Sequence, residues 1–208
     1  MTEAQALLFI LTSLLVIITP GQDMILVMSR AIAQGSKAGI ITAAGVSIGL
    51  IGHTLLTAFG LGSLLMASEL LFTILKLVGA VYLVYLGIRL IFSQSARLNL
   101  KQVRSVKLKK LFLTGALSNI SNPKITIFYF AFLPQFVSSD IQNPTYLLLL
   151  LGISFSLLTF LVKAPVGYFA GVLSSWLRAR PLVLSWIDRI SGAVLVVLGM
   201  KLAFEKRQ

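Results

Sequence analysis

Two short polar strings interrupt otherwise apolar sequence, and each carries a proline and a charge. The first is Thr19-Pro20-Gly21-Gln22-Asp23, and the second is Ser118-Asn119-Ile120-Ser121-Asn122-Pro123-Lys124. A proline inside a helix removes one backbone donor and clashes with the preceding turn, so nearby carbonyls lose their intrahelical partners. Gly21 beside Pro20 loosens the chain further. At membrane depth such a break is tolerated only inside protein or along a wet cavity. Half-helix ends offer N–H groups to anions and carbonyls to cations, so a site built from two breaks suits a zwitterion. Either break alone reads as a kink that only shapes a bundle. Two breaks at corresponding places point instead to a binding site. Pro20, Gly21, Gln22, Asp23, Asn119, Asn122, Pro123 and Lys124 are therefore the candidate substrate-binding residues.

Among the charges, Asp23 has the most to do. A carboxylate near the middle of an apolar helix costs a few kcal/mol to insert, so it is expected to face the protein interior. Out of water its neutral form competes with the charged one, which makes Asp23 a candidate proton carrier. It also suits a substrate ammonium, and capping of the unwound turn after Pro20 is the structural alternative. Lys124 is placed to pair with Asp23 or with a substrate carboxylate, or to snorkel its head into a wet cavity. His53 is the single histidine. It titrates near neutral pH and is the second proton-coupling candidate, with a plain interhelical hydrogen bond as the alternative. Lys163, near Pro165, is expected to snorkel toward a membrane face.

The elements that must hold these residues are legible in the composition. The chain has 208 residues, 57% hydrophobic and only 12% charged, with a mean hydropathy of +0.95. A soluble domain of this size cannot hide that much apolar surface, so the lipid bilayer is the solvent. Six apolar segments run over 5–30, 38–65, 69–92, 111–137, 145–173 and 185–204. Each reaches the ~20 residues that cross a hydrocarbon core as a helix. No segment alternates as membrane-barrel strands do. The fold expected is an all-α integral membrane protein of six transmembrane helices.

The chain also repeats itself. Residues 76–92 contain GAVYLVYLGIRLIF, and residues 189–204 contain GAVLVVLGMKLAF, which aligns after one deletion. A polar stretch at 93–110 separates a first three-helix repeat, 1–92, from a second, 111–208. Three spans is an odd number, so the second repeat enters the membrane from the opposite side and the repeats are inverted. The first helix of each is the one broken at proline.

The net charge of +12 lies mostly in loops beside apolar runs, which is a topology signal and not a nucleic-acid footprint. The basic 93–110 linker belongs in the cytoplasm, and both termini then lie outside. The start of the chain lacks a basic n-region and reads as a retained span. No cysteine, a lone histidine and no paired-Asp or Ser-Lys spacing leave no catalytic constellation. An enzyme is not expected, nor is a cofactor or a resident metal. The spacings Gly35/Gly39, Gly45/Gly49 and Gly167/Gly171 permit close helix contact, within the fold or in a homodimer.

With these motifs in view, the chain resembles the lysine-exporter (LysE/RhtB) translocator family over essentially its whole length. Pro20-Gly21-Gln22-Asp23 is similar to that family's proline-glycine-proline-acid/amide signature, with Gln22 where a second proline is frequent. Asn122-Pro123-Lys124, the aromatics Phe128 and Phe130, and Pro134-Gln135-Phe136 match the second half. Tyr82-Leu83-Val84-Tyr85-Leu86-Gly87 matches the third span. The resemblance implies a multi-pass protein of the bacterial inner membrane. Its partners would be protons and a small amino-acid-like substrate, exported by proton-coupled antiport. Export of another small solute or a divalent cation is the alternative. The substrate itself is not implied.

Overall fold

The computed structural model describes residues 3–19, 21–61, 69–92, 106–137, 143–173 and 181–204. These residues are helical, with no strand among them. In chain order the helices are α1 (Glu3–Ile18), α2 (Gln22–Gln34), α3 (Ser36–Leu55), α4 (Glu69–Ile91), α5 (Leu108–Ile120), α6 (Pro123–Ile127), α7 (Pro144–Val172) and α8 (Pro181–Phe204). A π-helical turn extends α3 to Leu61, and π and 3-10 turns extend α6 to Phe136.

Burial follows a membrane pattern. Leu7, Leu11, Phe59, Val81, Leu157 and Val197 point outward, while Asp23, Lys124, Lys163, His53, Asn119 and Asn122 are inside. A soluble protein would reverse this arrangement; lipid contact requires it. Among the described residues, 36–60 and 144–172 are each long and apolar enough to cross a bilayer. The pair 5–18 and 22–34, bent by 54°, makes a third span if counted as one. The 29 residues of α7 reach roughly 43 Å, enough for the hydrocarbon core and its interfaces.

Several boundaries differ from the sequence expectation, for local reasons. The first segment runs on to Gln34, because Gly35 is what ends it: its φ of +89° lies in the left-handed region. Its N–H closes on the Ala31 carbonyl at 2.8 Å, so α2 turns into α3 over a single residue. The last helix begins at Pro181 and not near 185. Pro123 does not kink a continuous helix. Like Pro144 and Pro181 it opens one, where its missing N–H is no loss. Pro165, by contrast, lies inside α7, which continues through it. Pro20 lies outside the described residues, as do 93–105 of the polar linker.

Helix directions follow from the contacts. Gly39 meets Gly167, Ser36 meets Gly171 and Thr54 meets Gly152, so α3 and α7 run antiparallel. Gly87 meets Gly192 while Ala80 meets Gly199, so α4 and α8, which carry the sequence repeat, are also antiparallel. In contrast, α5 lies parallel to α3, with Phe112 on Gly45 and Ala116 on Gly49. Helix α2 lies parallel to α7, with Val27 on Gly167. The small-residue spacings of the sequence thus serve contacts within one chain, apart from Gly35 at its turn. An aromatic cluster fills the space beside α6, where Phe128 stacks on Phe155 at 4.7 Å and on Phe132 at 4.9 Å.

Candidate functional site

The broken first span exposes carbonyls that its own helix cannot satisfy. In a continuous helix the Val16 carbonyl would accept from residue 20, which is a proline and has no N–H. Lys124 supplies the missing donor. Its Nζ donates to the Val16 carbonyl at 3.1 Å and to the Thr19 carbonyl at 3.0 Å. Cationic capping of a helix C-terminus is favourable on charge as well as hydrogen bonding. Gly21 leaves room for it, since a Cβ there would sit 3.3 Å from Lys124 Nζ.

Asp23 stands in the first turn of α2 and is 2% exposed. Its Oδ2 accepts from Asn119 Nδ2 at 2.8 Å and from Asn122 Nδ2 at 3.0 Å. The Ser118 hydroxyl lies 3.5 Å from Oδ1. Gln22 reaches the same helix and donates to the Ser118 carbonyl at 2.5 Å. Asn122 has two tasks: its Oδ1 also accepts the Lys124 N–H at 3.1 Å, capping α6. The two breaks therefore meet each other. Seven of the eight residues singled out from sequence lie at this junction or cap its helices; Pro20 lies outside the described residues.

The partner of Asp23 is where the structure departs from expectation. The cation on the carboxylate is Lys163 of α7, with Nζ 3.5 Å from Oδ2. It is the one ion pair among the described residues. Lys163 does not snorkel; it is 4% exposed. The reason is tertiary: α2 and α7 run side by side in the same direction, so a lysine that the sequence places toward a membrane face comes to lie level with the break. Its one sequence signal was its charge in a span otherwise free of Asp, Glu, Lys and Arg.

His53 closes one side of the cluster. Its Nε2 lies 3.1 Å from the Asn119 carbonyl, which can only accept, so Nε2 carries the proton. Nδ1 is buried with no hydrogen-bond partner among the described residues. Its ring lies 5.5 Å from that of Tyr129, whose hydroxyl donates to the Gly152 carbonyl at 3.2 Å. The buried atoms Asn119 Oδ1 and Thr159 Oγ1 are also without partners among the described residues. No group of three or more His, Cys, Asp or Glu side chains gathers among the described residues.

The whole chain can be compared with known proteins. The family model of LysE type translocators matches residues 14–206. An uncharacterized membrane protein, YrhP, of Bacillus subtilis strain 168 is 31% identical, covering 94% of this chain and 96% of its own. The homoserine/homoserine lactone efflux protein of Salmonella typhimurium is 29% identical, covering 94% of each chain. The leucine efflux protein of Klebsiella pneumoniae is 24% identical over 95% of this chain and 93% of its own. No solved structure matches.

Proposed function

The chain belongs to the LysE type translocator family, and on that premise we propose that it exports amino acids or close derivatives across a bacterial inner membrane, driven by the proton gradient. The observation that carries this is the buried Asp23 carboxylate, held by amides from the opposite broken helix and by a lysine of a third element. A buried charge set of this kind is costly unless it is used, and in a translocator it is used on cargo or protons. Efflux relatives named for homoserine, homoserine lactone and leucine point to cargo carrying a small amine.

The proposed architecture is six spans in two inverted halves of three, with the 93–110 linker cytoplasmic and both termini outside. The antiparallel pairing of α3 with α7, and of α4 with α8, supports it. The parallel pairings of α3 with α5 and of α7 with α2 are the directions that six alternating spans require. Apart from the Asn122 cap on α6, the polar contacts of the site join one half to the other: Gln22 to Ser118, Asp23 to Asn119, Asn122 and Lys163, His53 to Asn119, and Lys124 to Val16 and Thr19. A change of charge at Asp23 therefore acts on the contact between halves, the element that alternating access must move. In this reading Asp23 takes up a proton from outside, gives up its cation, and releases that proton to the inside when substrate ammonium arrives there to replace it. Pro20 has no N–H with which to continue α1 and Gly21 leaves room for Lys124, while Gln22, Asn119, Asn122 and Pro123 hold the second break against the first.

The test is dipeptide-fed export in cells lacking their own exporters, with medium amino acids followed across a panel. Wild type should export a subset, and Asp23→Asn none at equal membrane abundance. Equal export by both would remove Asp23 from the mechanism. No export by wild type would overturn the substrate class and turn the search to cations and other small solutes.

A further inference from the structure

Lys163 and Lys124 are both buried ammonium groups, but their coordination differs. Lys124 donates to two carbonyls at ordinary distances. Lys163 has a single polar partner among the described residues, Asp23 Oδ2, at 3.5 Å. Charge-assisted N–H···O bonds are usually about 2.7–2.9 Å, and an ammonium has three donors to place. The near oxygen of Asp23 is already taken by two amides. Lys163 is thus held by charge with donor capacity to spare. One turn before it on α7, four residues back and on the same helix face, stands Thr159, 2% exposed with its hydroxyl unpartnered. Unused acceptors lie on the other side: among the described residues Asn119 Oδ1 has no partner, and Asp23 Oδ1 has only the 3.5 Å contact from Ser118.

Unsatisfied buried polar atoms in a native protein need a reason, and those facing this ion pair are sorted by type. Spare donors, one of them charged, sit on α7; spare acceptors, one of them charged, sit on α2 and α5. We propose that Lys163 and Thr159 bind the carboxylate of a zwitterionic substrate whose ammonium group binds Asp23 and Asn119 Oδ1. This assignment rests on the export reading and adds the carboxylate end to it. Lys124 is committed to the Val16 and Thr19 carbonyls, which leaves Lys163 as the cation free to exchange partners. The substrate enters by partner exchange: its ammonium replaces Lys163 on Asp23, and its carboxylate replaces Asp23 on Lys163. Neither buried charge is left alone, which is the costly outcome. The direct pair is then the closed, empty arrangement, and separating it makes room for cargo.

The assignment predicts discrimination between amines with and without a carboxylate. Uptake into everted membrane vesicles would compare leucine with leucinamide, and homoserine with homoserine lactone. The readout is the rate ratio within each pair, which cancels differences in abundance or folding. Lys163→Gln should move that ratio at least tenfold toward the carboxylate-free partner. Lys163→Arg should restore most of the wild-type ratio, and Thr159→Val should shift it in the same direction by a smaller factor. An unchanged ratio in Lys163→Gln, whether total rates fall or not, makes the ion pair purely structural and overturns the assignment. Wild type that moves none of the four compounds overturns the export reading, and this assignment with it.

Discussion

Lys124→Met should destabilise the protein more than the loss of a surface charge would, because of what it leaves behind. Methionine fills the space of the lysine stem without a donor. The carbonyls of Val16 and Thr19, 3.1 and 3.0 Å from the ammonium, would lose that donor. Both residues are buried, so water does not replace it. The Val16 carbonyl has no helical fallback, since position 20 is proline. An orphaned buried carbonyl costs about 1–3 kcal/mol. Two give roughly 2–6 kcal/mol, from which relief of one buried ammonium subtracts a part, leaving about 3 kcal/mol. For a chain near 200 residues this corresponds to a fall in Tm of ~6–12 °C. The assay is thermal unfolding of purified protein in detergent, scored as the fraction still monodisperse after heating. Lys124→Arg, which keeps donors at the same reach, should recover much of the loss. A Lys124→Met protein melting within ~2 °C of wild type would refute the capping argument.

Two further outcomes follow from the packing around Asn119. A Cβ on Gly49 would lie 2.9 Å from the Asn119 Cβ and 2.7 Å from the Ala116 carbonyl oxygen. Gly49→Val should therefore push α5 from α3, cost about 1–3 kcal/mol, and reduce export out of proportion by drawing Asn119 off Asp23. A variant with wild-type Tm and export would show that this close approach is not required. His53→Gln keeps a donor for the Asn119 carbonyl but removes Nδ1. It should reach wild-type membrane levels, yet export should no longer quicken when an inward proton gradient is imposed. Retained acceleration would take His53 out of proton coupling.

Much of this protein could be read directly from its residues. Composition made the bilayer its solvent, because no soluble core of this length could absorb so many apolar side chains. Proline chemistry located both interruptions, since a missing N–H is a property of the residue and not of its surroundings. The cost of a carboxylate in lipid marked Asp23 as interior before any coordinates. What pairs with what was decided only by tertiary packing. Lys124 stands in a polar string beside Pro123 and Lys163 in an apolar span, yet neither context says which lysine caps Val16 and Thr19 and which sits on Asp23. The difference comes from α2 running beside α7 in the same direction, and from α5 reaching α3 closely enough at Gly45 and Gly49 to bring Asn119 to the break. Electrostatic partners are chosen by distances of a few ångströms, and those distances belong to helix pairs far apart in the chain.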